Sequence, residues 1–497
     1  MLRGRRALAI VVVAGALLRF VPIWFGLPFD RARPDEETAI GHALAILHGD
    51  PNPHFFHWPS LTFYALAAVL GAAPGASVDA QFVIARAVVA LAGTATLLVV
   101  YALVRDASDE PTALVAAAFL AVAPLHVRES HFAMTDVLMT LLVTSAIAVL
   151  MRASGRASRY AVAGVLGGLA ASTKYSAAAV LAAITVPPYA IGAIASFAGA
   201  FAFGFVAGTP FAVLDARSFA AGFGFDVTHL STGQALVDLG PGWWSHLVRS
   251  LPFGAGVPVF VAAIGGVVVM ARRRCRPALP AAAFCAALYA ALSPGRTVFF
   301  RYALPIVPFV CAAAAVAVVE VSAWASARLG WRGGVAPLAI LIAAVPLMNS
   351  VRLDLVLART DTRVMAGRWL AAHARANESI YDAGGDYAGS DLRGVAAHIW
   401  SVETYDAATH TFRDSGGRLP DWLVLPESPL VYGSVPPALR RLAAERYTPA
   451  YTVAATDGDV SASVYDAQDA FFVPIAGFGP VRRPGPTIRI YRVKGIV

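Results

Sequence analysis

The sequence predicts a polytopic α-helical membrane protein carrying a small α/β domain at its C-terminal end. Three observations carry that prediction. Of 497 residues, 58% are hydrophobic and only 14% charged, against about 25% charged in an ordinary soluble chain. Apolar runs long enough to cross a bilayer recur through the first ~350 residues. From about Leu353 onward the composition turns polar enough for a domain in water.

Charge placement orders these runs. The net charge of +8 is carried almost wholly by arginine, and Lys174 and Lys494 are the only lysines. The arginines gather in short loops between apolar runs, a signature of topology and not of a nucleic-acid footprint. Spans are expected near 7–25, 81–104, 112–126, 133–151, 160–173, 176–190, 191–213, 252–271, 278–293, 303–323 and 335–352. That is about 11 spans, making residues 1–352 the transmembrane domain and 353–497 the α/β domain. The loops with Arg3, Arg5 and Arg6, with Arg152, Arg156 and Arg159, with Arg272, Arg273, Arg274 and Arg276, and with Arg328 and Arg332 then all face the cytoplasm. Arg31 and Arg33, in the first external loop, run against the pattern. The odd span count puts the N-terminus inside and the C-terminal domain outside. The first apolar segment lacks a small-residue cleavage site and is expected to stay as an anchor. Cys275, Cys285 and Cys311 form neither a disulfide framework nor a zinc-binding spacing.

The external loops hold the polar material. Loop 26–80 contains two expected interfacial helices, an amphipathic one from Glu36 to Leu47 and a shorter apolar one from Ser60 to Leu70. Loop 214–251 carries Asp226, His229, Trp243, Trp244 and His246, with the paired tryptophans read as an interfacial belt. In the C-terminal domain, helices are expected near Arg363–Arg375 and Pro437–Glu445. Strands are expected at Trp422–Leu425, Ala470–Pro474 and Thr487–Val493.

Several of these residues suit chemistry. In Pro34-Asp35-Glu36, two carboxylates stand at the water-facing end of a membrane helix, where half-desolvated acids are costly and a functional role is the default. Capping of the following helix is the competing role. Asp136, in His131-Phe-Ala-Met-Thr-Asp136, opens the fourth span on the same expected face, and there too an N-cap is the simpler alternative. Lys174 is the only lysine of the membrane part. Arginine does the snorkelling elsewhere, so its compact ammonium suits a phosphate oxygen. The preceding Gly167-Gly168-Leu-Ala-Ala-Ser-Thr173 is not a P-loop, and no nucleotide cofactor is expected. Arg301, in Phe299-Phe300-Arg301-Tyr302, starts another span from outside and is either an anchor or a second phosphate ligand. Arg128 and His131 are weaker lining candidates. Asp35 and His57 are the candidates for a divalent metal ion. Acids beside cations at an outer leaflet suit group transfer from a lipid phosphate: a carboxylate takes a proton from an acceptor hydroxyl and the cations stabilise the leaving phosphate.

The motifs, in order, resemble glycosyltransferase family 39-like enzymes with the C-type membrane fold, a group that includes protein O-mannosyltransferases and the bacterial transferases that add aminoarabinose to lipid A. Arg33-Pro34-Asp35-Glu36 matches the first-loop acidic motif, and Phe56-His57-Trp58-Pro59-Ser60-Leu61 the proline-started second interfacial helix. Arg86 follows, then His131 to Asp136 as the second acidic position. Gly164 to Tyr175 matches the Gly-Leu-Ala…Thr-Lys segment, and Arg301-Tyr302…Pro305 a late Arg-Tyr-x-x-Pro. Gly479-Pro480 through Tyr491-Arg492 resembles the tail of the bacterial members' outer domain. One departure stands out: a Glu-Lys pair precedes that proline in aminoarabinose transferases, and His57-Trp58 stands there in this chain, which argues against lipid A aminoarabinose specificity.

The resemblance implies a polyprenyl-phosphate sugar donor, inversion at the anomeric carbon and Asp35 as the base. The residues themselves suggest Glu36 and Asp136 in support and Lys174, Arg301, Arg128 and His131 around the donor phosphate. The resemblance also implies a protein, glycan or lipid acceptor outside the bacterial cytoplasmic membrane. The alternative class is a transporter or flippase of a lipid-linked substrate, which favours paired broken helices in two related halves; the sequence shows no such repeat.

Overall fold

The computed structural model describes residues 2–153, 155–185, 191–234, 236–413 and 416–495; the end of the expected span 176–190 lies outside them. The chain divides into two compact units. One comprises Met1–Ile23 and Thr38–Val351, the other Trp24–Glu37 and Arg352–Val497.

The first unit is helical. Among the described residues four stretches are long and apolar enough to cross a membrane: Val78–Ala107, Ile191–Gly208, Phe300–Leu329 and Ala336–His373. A fifth forms if Gly242–Ala255 and Val257–Arg272, bent by 109°, count as one broken span. The bend falls at Gly256, whose φ of 90° suits a residue without Cβ. Several other expected spans are shorter helices: Glu110–Val122 has 13 residues, Asp136–Met151 16, Ala157–Ala171 15 and Leu279–Leu292 14. At 1.5 Å per residue these fall short of a ~30 Å hydrocarbon core. Within 176–190, the described Tyr175–Thr185 is a 3-10 helix. Hydropathy counts apolar residues whatever the backbone does, so it reads turns and broken helices as continuous spans.

Local chemistry explains the helix ends. Asp109 caps Glu110–Val122, its Oδ1 accepting from the Thr112 N–H at 2.8 Å and the Thr112 hydroxyl at 2.6 Å. At the other end of that helix the fully buried Arg19 donates to the Ala121 and Leu120 carbonyls at 3.1 and 3.0 Å. Carbonyls of the helix's last turn thus stabilise a charge that would otherwise be costly to bury. Ala157–Ala171 carries Gly164 and Gly168 four residues apart, and a Cβ at either position would collide with the backbone of Phe197 or Phe201. Gly204 meets Val165 in the same way from the opposite helix. This is the small-residue packing that lets membrane helices approach closely.

The second unit is α/β. Strands β1 (Ser379–Asp382), β2 (His398–Trp400), β5 (Trp422–Glu427), β6 (Tyr447–Val453) and β7 (Thr487–Val493) form one sheet in the order β2-β1-β5-β7-β6; β3 (Tyr405–Asp406) and β4 (Thr411–Phe412) form a separate ribbon. β1 runs parallel to β2 and β5, and β7 antiparallel to β5 and β6. Both faces of β5 are covered. Trp422 and Val424 pack with Ala366 and Leu370 of helix Thr362–His373, while Leu423 and Leu425 pack with Leu439 and Ala443 of helix Pro437–Arg446. Double burial explains the unbroken apolar run of this strand. Ala470–Pro474, expected as a strand, is irregular; Phe472 packs on Ala388 and Leu430 without a ladder, and Pro474 has no N–H to offer one.

Glu378 ties helix, loop and sheet together. Its carboxylate accepts from both Arg492 Nη atoms at 3.1 and 2.7 Å, from Trp422 Nε1 at 2.8 Å and from the Arg375 N–H at 3.0 Å. Burial would raise its pKa, but the Arg492, Arg375 and Trp422 donors outweigh burial and hold it at about 2.

Gly168→Leu is expected to destabilise the helical unit by about 2 kcal/mol or more through overpacking, read as a lower Tm in detergent; an unchanged Tm would refute the close packing. Because Glu378 titrates lower folded than its ordinary 4.5, its contribution is complete above that pH and disappears as pH falls toward about 2. Acid titration of stability in wild type and Glu378→Gln should therefore show two curves that converge across this window.

Candidate active site

A small polar cleft lies within the helical unit, with a volume of about 30 Å³. It forms where four chain segments end or turn. Asp136 is the first residue of helix Asp136–Met151 and is only 1% exposed. Lys174 follows helix Ala157–Ala171, its N–H held by the Ala170 carbonyl at 3.2 Å. Arg301 and Tyr302 open the 3-10 turn Phe300–Ile306, and Asp226 projects from helix Ala216–Thr232. His57 and Trp58 complete the lining. A short network sets these two beside the lysine: the Leu61 N–H donates to Ser172 O at 3.0 Å, the Ser60 N–H to Thr209 Oγ1 at 3.2 Å, and the Ser172 and Thr209 hydroxyls bond at 2.7 Å.

Lys174 Nζ donates to Asp136 Oδ1 at 2.5 Å and stands 4.4 Å from the Tyr302 ring centroid. A carboxylate this deeply buried needs a partner with an opposite charge. Asp136 Oδ2 is also buried and has no hydrogen-bond partner among the described residues, leaving an acceptor open. Lys174, with three N–H donors and a side chain 17% exposed, retains capacity beyond this pair. Arg301 is 7% exposed, with its guanidinium 4.1 Å above the Phe299 ring. Burial raises the Asp226 carboxyl, and Lys174 pulls it back down. Burial lowers the His57 imidazole, which stacks on Phe225 at 3.9 Å. Two cations and two acids therefore face one small space.

Not every candidate lies here. His131 is buried, with its ring nitrogens on the Val127 and Val21 carbonyls at 2.9 and 3.3 Å. The buried Arg128 has Nε 3.6 Å from Glu129 and its guanidinium 6.0 Å from the Phe132 ring. Neither lines the cleft. The sequence reading passed over Asp226 as a site residue, along with Tyr175 and Trp58. Its signal was an isolated acid in the aromatic stretch Phe223-Gly-Phe225-Asp226.

Asp35 and Glu36 belong to the second unit. There Arg33, fully buried, bonds Asp469 Oδ1 at 2.9 Å. Arg363 clasps Asp361 through Nε and Nη2 at 2.8 and 2.7 Å and reaches the Ala32 carbonyl at 3.2 Å. Just past these anchors Asp35 takes φ 75°, a left-handed conformation uncommon outside glycine and found at strained functional sites. Glu36 is fully buried. Glu37, next in line, is raised first by burial and then by repulsion from Asp35 and Glu36, although the Tyr387 hydroxyl donates to it at 3.3 Å. Its Oε2 is buried without a partner.

Among the described residues no group of three or more His, Cys, Asp or Glu side chains gathers to hold a metal ion. The donor sets around Asp35 and His57 do not fit one, and no step is routed through a metal.

Comparison with known proteins agrees with the motif reading. Residues 75–213 match the family described as dolichyl-phosphate-mannose-protein mannosyltransferase. No curated protein matches the sequence. Among solved structures, ArnT from Cupriavidus metallidurans bound to undecaprenyl phosphate aligns over 97% of both chains with 15% identity and TM-score 0.53. The oligosaccharyltransferase AglB from Archaeoglobus fulgidus, in complex with an inhibitory peptide and a dolichol-phosphate, aligns over 85% of this chain and 69% of its own, with 13% identity and TM-score 0.50. The same archaeal enzyme with Zn and sulfate aligns over 79% and 62%, with 14% identity and TM-score 0.50. The resemblance to family 39-like membrane glycosyltransferases with the C-type fold holds.

Lys174→Met is expected to lower stability by about 3 kcal/mol, because it strands the Asp136 charge. Adding Asp136→Asn should restore most of that loss, checked by comparing Tm for both single variants and the double variant. A double variant no more stable than Lys174→Met alone would show that the pair is not what holds the cleft.

Proposed function

We propose that this protein is a membrane glycosyltransferase that moves a sugar from a polyprenyl phosphate to an acceptor hydroxyl on the outer side of the bacterial cytoplasmic membrane, with inversion at the anomeric carbon. The observation that carries the reading is the Lys174–Asp136 pair beside Arg301, in a chain whose residues 75–213 match a lipid-phosphate-sugar transferase family. The lipid phosphates named in the ArnT and AglB complexes are the model for the donor.

In this reading Lys174 and Arg301 take the donor phosphate, a compact ammonium and a forked guanidinium on one group. Asp35 is the base. Its carboxylate accepts the proton of the acceptor hydroxyl, the oxygen attacks the anomeric carbon, and the bond from that carbon to the phosphate oxygen breaks on the opposite face. The polyprenyl phosphate leaves with its added charge held by the two cations. Glu36 supports the base region, and Asp136 fixes the ammonium. Arg128 and His131, bonded to Glu129 and to the Val127 and Val21 carbonyls, stand outside the cleft lining. Orientation with the N-terminus inside and the second unit outside follows from the arginine loops. A flippase would bind the same lipid, and nothing in the cleft favours it over a transferase.

The test is transfer from a radiolabelled undecaprenyl-phosphate sugar in proteoliposomes. Asp35→Asn is expected to cut kcat by at least ~10²-fold, the usual contribution of a general base, with donor binding unchanged. Arg301→Gln is expected to raise the donor KM. Transfer by Asp35→Asn at the wild-type rate would remove the base, and absence of transfer by wild type with any such donor would remove the function.

A further inference from the structure

A larger groove opens elsewhere in the helical unit. It encloses about 930 Å³, at the upper end of known ligand sites. Its walls are the last turn of Val78–Ala107 and parts of Val257–Arg272, Leu279–Leu292 and Val307–Leu329. The interior is apolar, with Phe260, Val267, Ala282 and Phe309 along it. It shares no lining residue with the Lys174 cleft.

The mouth is the opposite of apolar. The chain there reads Arg272-Arg273-Arg274-Cys275-Arg276, and Arg273, Arg274 and Arg276 line the groove. Arg273 bonds Glu320 at 2.5 Å. Arg274 and Arg276 are exposed and form no ion pair among the described residues. The turn that carries them is fixed: the Arg273, Arg274 and Cys275 N–H groups donate to Val269, Ala271 and Met270 carbonyls, each at 3.0 Å, and Arg274 adopts φ 51°.

A long apolar trough with unpaired guanidiniums at its rim meets two halves of one chemical requirement, a hydrocarbon chain and an anionic head. We propose that this groove binds an anionic diacyl phospholipid, its phosphate on Arg274 and Arg276 and its acyl chains along Val267, Phe260 and Phe309. A zwitterionic lipid fills the trough equally well but brings its own cation to the rim, against the arginines. Guanidinium forks match phosphate oxygens in pairs, and basic pockets between membrane helices are a recognised form of anionic-lipid site. The proposal concerns a bound structural lipid and stands apart from the sugar donor.

The experiment measures lipid retention by native mass spectrometry after exchange of the purified protein into nanodiscs of phosphatidylcholine with added phosphatidylglycerol. Wild type is expected to retain phosphatidylglycerol selectively. Each arginine near a headgroup is worth about 5-fold in affinity, so R274Q/R276Q should bind it about 25-fold more weakly while phosphatidylcholine is unaffected. Val267 is 56% exposed, so Val267→Trp obstructs the trough without disturbing the core; it should lower retention with every arginine in place, and it keeps the test open if the double variant fails to fold. Equal phosphatidylglycerol affinity in folded R274Q/R276Q, or retention of phosphatidylcholine equal to that of phosphatidylglycerol by wild type, would overturn the proposal. Displacement of phosphatidylglycerol by an equal amount of undecaprenyl phosphate would also overturn it and assign the trough to the donor's chain.

Discussion

The buried pairing of Asp136 with Lys174 is the constraint on which the helical unit's polar cleft depends. An isolated carboxylate at 1% exposure is not sustainable in so apolar a unit, since desolvation costs several kcal/mol per ion. The ammonium at 2.5 Å answers that cost and thereby fixes two helix ends, one at the start of Asp136–Met151 and the other just past Ala157–Ala171. Once these are fixed, Tyr302 has a cation over its ring and Asp226 a positive neighbour. The close approach of the helix Ala157–Ala171 to Ile191–Gly208 through Gly164, Gly168 and Gly204 matters for the same reason: it holds rigid the element that delivers the lysine.

The second unit solves a related problem with arginine. Arg33 and Arg363 are both buried; Arg33 bonds Asp469 and the Pro34 carbonyl, and Arg363 bonds Asp361 and the Tyr387 and Ala32 carbonyls. Their bonds hold the segment Ala32–Pro34 against the α/β core, and that segment leads directly into Asp35 with its left-handed backbone. Strain of roughly 1–3 kcal/mol at such a residue persists only where neighbours over-determine it. Buried guanidiniums on its N-terminal side supply that determination.

What the sequence made legible followed from scarcity. In a chain with two lysines, Lys174 stood out, and acids at the ends of apolar runs marked Asp35 and Asp136 before any fold was known. Asp226 escaped notice because its partners lie far away in sequence, and an acid in an amphipathic helix is ordinary by local criteria. His131 and Arg128 drew attention as polar residues near a motif, yet their bonds run to backbone and to a neighbouring acid; sequence cannot separate a side chain that faces a ligand from one that braces a turn. Helix lengths were hard to read for a similar reason. The eleven apolar runs include 3-10 and broken stretches, such as the bend at Gly256, and hydropathy carries no information on backbone hydrogen bonding. In the α/β unit, the doubly buried β5 announced itself as an unbroken apolar run, whereas Phe471-Phe472-Val473 has the same composition and fills a core without pairing.

The two units share one further trait. Asp136 Oδ2 in the first and Glu37 Oε2 in the second are buried carboxylate oxygens with no donor. An unsatisfied buried acceptor costs about 1–3 kcal/mol, more when charged, and folding alone gives no return for it. Each sits beside charged groups: Lys174 pairs with Asp136 at 2.5 Å, and burial, then repulsion from Asp35 and Glu36, raises the Glu37 carboxyl. Sugars and hydroxyl acceptors are rich in O–H donors, and a binding partner of that kind converts an unsatisfied acceptor into a hydrogen bond at the moment of binding. Under the function proposed above, the stability given up in the free protein returns as affinity and orientation for a hydroxylated donor or acceptor.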